Sequence, residues 1–135
     1  MSYTLGEVAF LRENAATIDA AAADLEGTKK GQLRDVAKLQ AQFGEYGRAV
    51  AELLNARRSG KLPGEWLMDH DSAQQATPPA VAAYRAAFLK ERGVDLVHDL
   101  TCSIGTEGQA YAPGTYVGSD IDASRVAMAQ HNICL

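Results

Sequence analysis

Residues 95–132 read DLVHDLTCSIGTEGQAYAPGTYVGSDIDASRVAMAQHN, and this stretch decides the fold class. An apolar run (Val94, Leu96, Val97, Leu100) ends around Asp99 and passes into a turn of small residues, Thr101-Cys102-Ser103. Gly105 to Ala112 has the composition of a short helix, which Pro113-Gly114 would end. Thr115 to Gly118 is a second short strand pattern. Asp122 is placed to cap a helix from Ala123 to Asn132, with Val126, Met128 and Ala129 as its apolar positions. The order strand, helix, strand, helix predicts a parallel βαβ unit with one further helix, as at the start of a nucleotide-binding α/β sheet.

Upstream of this stretch the chain reads as helical. Thr4 and Glu7 have the spacing of a capping box ahead of Val8, Phe10 and Leu11. The alanine-rich run from Ala15 to Leu25 favours helix by propensity, and Gly27 to Gly31 breaks it as an exposed turn. Leu33, Val36, Leu39 and Phe43 follow a helical period that places Arg34, Asp35 and Lys38 on the outer side. Tyr46, Val50, Leu53 and Leu54 form another apolar face, with Arg57 and Arg58 in its last turn. Trp66, Leu67 and Met68 read as an extended piece or a buried anchor, and Asp71 or Ser72 as a cap for a short helical turn. Thr77-Pro78 has the form of an N-cap followed by proline at the first helical position. The helix it opens would bury Val81, Tyr84, Phe88 and Leu89 and end at Gly93. The predicted organisation is α plus α/β: a helical segment over 1–92 and the beginning of a Rossmann-like unit over 93–135.

Composition bounds the rest. With 135 residues, 47% of them hydrophobic and 22% charged, the chain has the material for one folded domain. A formal net charge of -4 gives no general attraction to phosphate backbones. Lys29, Lys30, Arg34, Lys38, Arg57, Arg58 and Lys61 are read as solvated helix faces in preference to an RNA-binding surface. The N-terminal residues lack the form of a signal peptide and no stretch is long enough to span a bilayer, so a cytoplasmic location is expected. Cys102 and Cys134 are expected as free thiols, Cys102 as a small buried side chain. Asp69-His70-Asp71 is read as a solvated connector, since three consecutive residues rarely converge on one metal ion; His98 and His131 stand alone.

A small-residue turn between a strand and a helix lets a ligand come close to backbone N–H groups, and the helix N-terminus adds partial positive charge. A carboxylate at the end of the second strand can accept two hydrogen bonds from a ribose diol, and Asp120, fifteen residues after Gly105, is placed for that role. Ser103-x-Gly105-x-x-Gly108 is the dinucleotide fingerprint with serine for its first glycine, which keeps a nicotinamide-dependent oxidoreductase as a third reading.

Two segments, Val97-His-Asp-Leu-Thr-Cys-Ser-Ile-Gly105 and Val117-Gly-Ser-Asp-Ile-Asp-Ala-Ser-Arg-Val-Ala-Met-Ala-Gln-His-Asn132, resemble the first two motifs of class I S-adenosylmethionine-dependent methyltransferases. The chain looks most like an actinobacterial branch with a helical segment ahead of the methyltransferase fold and a THUMP-like domain after it. Trp66-Leu67-Met68 and the segment from Gln74 to Arg85 are also similar to that branch. The resemblance implies a cofactor site made by Asp99, Thr101, Ser103 and Gly105, with Gly105 nearest the ligand, Asp120 on the ribose hydroxyls and Ile121 beside the adenine. It implies S-adenosylmethionine as cofactor and RNA as the acceptor of the full-length enzyme.

Two departures matter. Thr101 and Ser103 stand where many methyltransferases have glycine, so this chain is expected to bind the cofactor weakly or not at all. A class I fold has about seven strands and only two are legible, so a truncated unit without the acceptor-binding half is expected, inactive by itself and without a catalytic residue. The alternative is a helical interaction module that assembles as a homodimer through exposed strand edges, suggested by the apolar tail Ile133-Cys134-Leu135.

Overall fold

A computed structural model describes residues 3–134. Seven α-helices and one two-stranded parallel sheet are found among them. The helices are α1 (Leu5–Glu13), α2 (Ala15–Ala22), α3 (Gln32–Phe43), α4 (Gly47–Arg57), α5 (His70–Gln75), α6 (Pro79–Glu91) and α7 (Ala123–Ile133). The strands are β1 (Val97–Asp99) and β2 (Tyr116–Gly118).

Helix starts follow local chemistry. At α1 the Thr4 hydroxyl accepts the Glu7 N–H while the Glu7 carboxylate accepts the Thr4 N–H, the capping box read from the sequence. The Asp122 carboxylate accepts the Ser124 and Arg125 N–H groups at the start of α7. The short α5 is capped by Asp69, two or three residues upstream of the expected Asp71 or Ser72. Asp69 accepts the Ser72 N–H at 2.7 Å, and the Ser72 hydroxyl accepts the Asp69 N–H at 3.1 Å. Asp69 is therefore a buried cap and not part of a solvated connector. Helix α6 starts one residue later than expected: Pro78 is its N-cap and Pro79 its first residue, with no side chain capping it.

The core lies mostly under the first five helices. Val8 and Leu11 of α1, Ile18 of α2, Leu39 of α3 and Val50 and Leu53 of α4 close on the extended segment Trp66-Leu67-Met68, all of them buried. The Tyr3 hydroxyl donates to the Met68 carbonyl, and Phe10 stacks on Tyr46 at 4.0 Å between ring centroids. Each fully buried Leu or Ile contributes about 2 kcal/mol of hydrophobic stabilisation. One expectation fails on α3. Leu33 is exposed and Asp35 is buried, because the Asp35 carboxylate turns inward to accept the Glu26 and Gly27 N–H groups. These hydrogen bonds hold the Asp35 carboxyl below the usual carboxylate range.

The same cluster extends through Ile104 and Met128, and α7 packs on α1. Asn132 joins the two parts of the chain. Its side chain is fully buried, accepts the Leu67 N–H at 2.8 Å and donates to the carbonyls of Leu67 and Ile104, each at 2.9 Å.

The sheet is small. Val97 pairs with Tyr116, His98 with Val117 and Asp99 with Gly118. The side chains of His98 and Val117 point to an exposed face, while Val97, Asp99 and Tyr116 are half-buried on the other. Both strands are shorter than expected; Leu96 and Leu100 lie outside β1 and are exposed.

The helix expected between the strands is not formed. Residues 105–112 hold only a 3₁₀ turn, Gly108–Ala110. Gly105 takes φ +90°, outside the helical region, and Gly108 is a weak helix former. Helix α6 also packs more loosely than its pattern suggests: only Ala82 is buried, while Val81, Tyr84 and Phe88 remain exposed and Arg92 lies over the Phe88 ring.

Candidate functional site

The candidate site residues meet where β1 and β2 end. The chain leaves β1 at Asp99 and loops through 100–105. The loop is held to the second strand by the Cys102 N–H, which donates to the Ser119 carbonyl at 2.9 Å. Two carboxylates fix it at either end. Asp99 accepts the Thr101 N–H at 3.0 Å through Oδ1 and the Tyr116 hydroxyl at 2.8 Å through Oδ2. Asp120 accepts the Ser103 N–H at 3.0 Å through Oδ2 and the Asp122 N–H at 3.0 Å through Oδ1. Each carboxylate oxygen keeps a second lone pair, so both acids hold the loop and still have acceptor capacity.

Asp99, Thr101, Ser103, Gly105, Asp120 and Ile121 thus lie on one continuous feature: the first strand's end, the loop, and the second strand's end. Thr101 and Ile121 are exposed, Ile121 completely so. An isoleucine with its whole side chain in solvent next to a half-buried aspartate offers an apolar surface beside a polar anchor.

Two loop positions have different physical causes from those expected of them. Gly105 is buried, and its missing side chain makes room for α7: an added Cβ would lie 3.0 Å from the Ile133 side chain and 3.2 Å from the Ala129 Cβ. Its N–H donates to the Cys102 carbonyl. Close packing against α7 and a positive φ therefore explain the glycine, without any need for room for a ligand. Ser103 has φ +48°, a left-handed conformation that costs a non-glycine residue about 1 kcal/mol; the Asp120 hydrogen bond holds it there. The Arg125 guanidinium reaches the Ser103 hydroxyl at 3.5 Å and the Asp122 carboxylate at 3.8 Å.

Cys102 is buried and free, with its side chain against Gly118, where an added Cβ would lie 2.8 Å from the Cys102 Cβ. Burial, then the negative charges of Asp120 and Asp99, push its thiol up to about 11, so it is not a nucleophile at neutral pH. Cys134 is free and exposed. Among the described residues no three His, Cys, Asp or Glu side chains group for a metal ion, and no helix is long and apolar enough to cross a membrane. His98 Nε2 lies 3.1 Å from the Ser119 hydroxyl on the open face.

Side chains not singled out from the sequence complete the surroundings. The Tyr116 ring stacks on Tyr111 at 5.2 Å, and burial followed by the Asp99 hydrogen bond raises its hydroxyl pKa, keeping it a neutral donor. Arg85 of α6 forms an ion pair with Glu107 in the turn that follows the loop. Strand alternation points to Tyr116, which faces the same side as Asp99. No local pattern pairs Arg85 with Glu107, which lie on separate elements.

The chain is homologous to two proteins from two strains of Mycobacterium tuberculosis, both described as uncharacterized S-adenosylmethionine-dependent methyltransferases. Each is 42% identical over 107 residues, which covers 70% of this chain. The chain spans 29% of the length of each relative. No family model matches the chain, and no solved structure matches it.

Proposed function

We propose that this chain forms the cofactor-binding part of a class I S-adenosylmethionine-dependent methyltransferase, with β1, β2 and α7 as the first elements of a Rossmann-like sheet. The observation that carries the reading is that Asp99 and Asp120, at the ends of the two strands, both hydrogen-bond to one loop, in a chain homologous to proteins described as S-adenosylmethionine-dependent methyltransferases. In this reading Asp120 binds the ribose hydroxyls, Ile121 lies against the adenine, and the Thr101–Gly105 loop runs beside the sulfur-bearing chain. The bound cofactor supplies an electrophilic methyl group. The protein's part is to hold it through acceptor groups that are already oriented.

Binding can be followed residue by residue with ¹⁵N-labelled protein and S-adenosylhomocysteine. A dissociation constant of about 1 mM or tighter, equivalent to ~4 kcal/mol, is expected, with shifts at residues 101–105 and 120–122. Asp120→Ala should weaken binding at least about tenfold, the cost of a lost charge-assisted pair of hydrogen bonds. Binding that Asp120→Ala leaves unchanged removes the ribose assignment.

The acceptor is RNA in this reading, on the resemblance to the actinobacterial branch. Methyl transfer needs an acceptor held in line with the methyl group and often a base. The reading assigns neither role to any residue of this chain, so these 135 residues are inactive alone. S-adenosylhomocysteine released on incubation with S-adenosylmethionine and RNA would overturn that statement.

A second reading is favoured by one observation. Leu96, Leu100 and Val117 on and beside the open sheet face are all exposed, as unpaired interaction surfaces are. Here the chain is a helical interaction module that dimerises through the strands; Leu135, the end of the apolar tail, lies outside the described residues. A strict monomer by light scattering at high concentration would exclude it.

A further inference from the structure

Helix α6 has two unlike sides. Ala82, Ala86 and Leu89 recur at helical spacing and are its buried or half-buried positions, and the helix packs on the 3₁₀ turn Gly108–Ala110. The opposite side presents Val81, Tyr84, Phe88 and Arg92, again at helical spacing and all exposed, Tyr84 at 72%. The Tyr84 and Phe88 ring centroids lie 6.4 Å apart with the planes inclined by 31°. The Arg92 guanidinium sits over the Phe88 ring, 3.4 Å from its centroid, and its Nη1 donates to the Phe88 carbonyl at 3.2 Å. Two aromatic rings and a guanidinium plane thus line one exposed helix face.

An exposed stripe of this kind has two ordinary uses, a protein interface or a platform for unpaired bases, and its charge separates them. Helix α6 and its C-cap carry three cations, Arg85, Lys90 and Arg92, against one acid, Glu91, in a chain of net charge -4. The centre of a protein interface is depleted of charge. Bases of single-stranded RNA, in contrast, stack on aromatic rings and on arginine planes, with cations alongside for phosphate. Arg85 is engaged by Glu107, which leaves Arg92 on the stripe and Lys90 on the helix flank for phosphates. With so few cations and an acidic chain, attraction to the RNA backbone is weak, and the base faces must supply most of the affinity. The position also fits. Arg85, next to Tyr84, ties α6 to Glu107 in the turn that follows the candidate loop, so a strand laid along this face passes close to that loop.

We infer that this face of α6 is a stacking platform for unpaired bases of a single-stranded RNA, with Tyr84 and Phe88 as the ring surfaces and Arg92 as the stacked cation. The inference rests on the RNA-acceptor reading above and deepens it, by giving the strand state of the acceptor and the face that receives it. Duplex RNA has its bases stacked on one another and offers this face only phosphates.

The test is fluorescence anisotropy of a short labelled RNA of mixed sequence, single-stranded or annealed to its complement, titrated with the 135-residue chain. The single strand is expected to bind with a Kd of about 100 µM or tighter, and at least about tenfold more tightly than the duplex. The slope of log affinity against log salt concentration should be shallow, about -1.4, as for two phosphate contacts. Tyr84→Leu and Phe88→Leu keep apolar bulk but remove the ring, and each should weaken single-strand binding about tenfold, whereas Tyr84→Trp should preserve it. Both positions are exposed, so circular dichroism should show an intact fold. Leucine variants that bind like the wild type, or equal affinity for the duplex, would overturn the platform while the RNA-acceptor reading stands. If no RNA binds, both fall, and the cofactor reading, tested separately with S-adenosylhomocysteine, is untouched. A dimer that the leucine variants convert to monomers, seen by light scattering, would make this face an interface between copies and also overturn the inference.

Discussion

Residues 3–76 and residues 77–134 are built to different standards. In the first stretch, Leu11, Ile18, Val50, Leu53, Leu67 and Met68 are almost completely buried, and Leu5 and Leu33 are the exposed large apolar side chains. In the second, Ile104 and Met128 are buried, while Val81, Tyr84, Phe88, Val94, Leu96, Leu100, Val117 and Ile121 remain exposed. Both stretches have apolar sequence in the right periods. They differ in what is available to cover it. Antiparallel helices joined by short turns cover one another, whereas a parallel strand pair needs layers on both faces. Here one face carries α6 and the 3₁₀ turn, and the other is open. The first stretch holds the fold, and the second presents surface.

That contrast is sharpest at the junction. Asn132→Ala removes the donor and acceptor that satisfy the backbone of Leu67 and the carbonyl of Ile104, all of them buried. The expected loss is about 4 kcal/mol, as several buried polar groups lose their partners together, and urea denaturation should show it. If α7 and the loop were only loosely attached, the loss would be under about 1 kcal/mol, and the two stretches would have to be treated as separate. Leu11→Ala within the dense stretch should cost about 3 kcal/mol by the same measurement.

A titration breaks the comparison in another way, because Asp35 is a buried charge within the well-packed stretch. Its folded pKa is lowered, so its contribution is fully present above the unfolded value near ~3.9 and is lost as pH falls through the folded value. The stability difference between wild type and Asp35→Asn should be constant above about pH 5 and shrink progressively below about pH 4. A difference that stays flat down to pH 2 would mean that the Glu26–Gly27 turn does not depend on the charge.

In the open stretch the effects are smaller and can change sign. Ser103→Gly releases a left-handed serine and should stabilise by about 0.5 to 1 kcal/mol, measured as a raised Tm. Leu100→Asn on the uncovered side should stay within about 0.5 kcal/mol of the wild type. A cost above about 2 kcal/mol there would reveal a covering layer in solution, and with it assembly through the sheet.

What could be read from the sequence follows the range of the interactions. The capping box at Thr4 and Glu7, the cap at Asp122 and the two strands with their parallel order rest on contacts a few residues apart or on short patterns, and these are legible. The candidate site residues also fall on one feature, because loop and strand ends are set by that local order. The 3₁₀ turn in place of a helix at 105–112 was not legible, since Gly105 takes a positive φ where it packs against Ile133 and Ala129 of α7, a contact across the chain. Nor was the inward turn of Asp35, whose partners are N–H groups on a preceding turn. The pairing of Arg85 with Glu107 depends on how α6 docks, and the pattern of α6 gives no sign that Tyr84 and Phe88 stay exposed.

The side chain of Asn132 also makes the loop depend on a distant part of the chain. Its partners at Leu67 lie 65 residues earlier in the chain, and its partner at Ile104 is in the candidate loop itself. The loop therefore cannot take its final shape by local search. Its final shape requires α7 on α1 and the extended segment at Leu67 together. Contacts of such long sequence separation raise the mean contact order, and folding slows as contact order rises. The loop's geometry is therefore a property of the whole fold, since the helix that follows the loop is what ties Ile104 to Leu67.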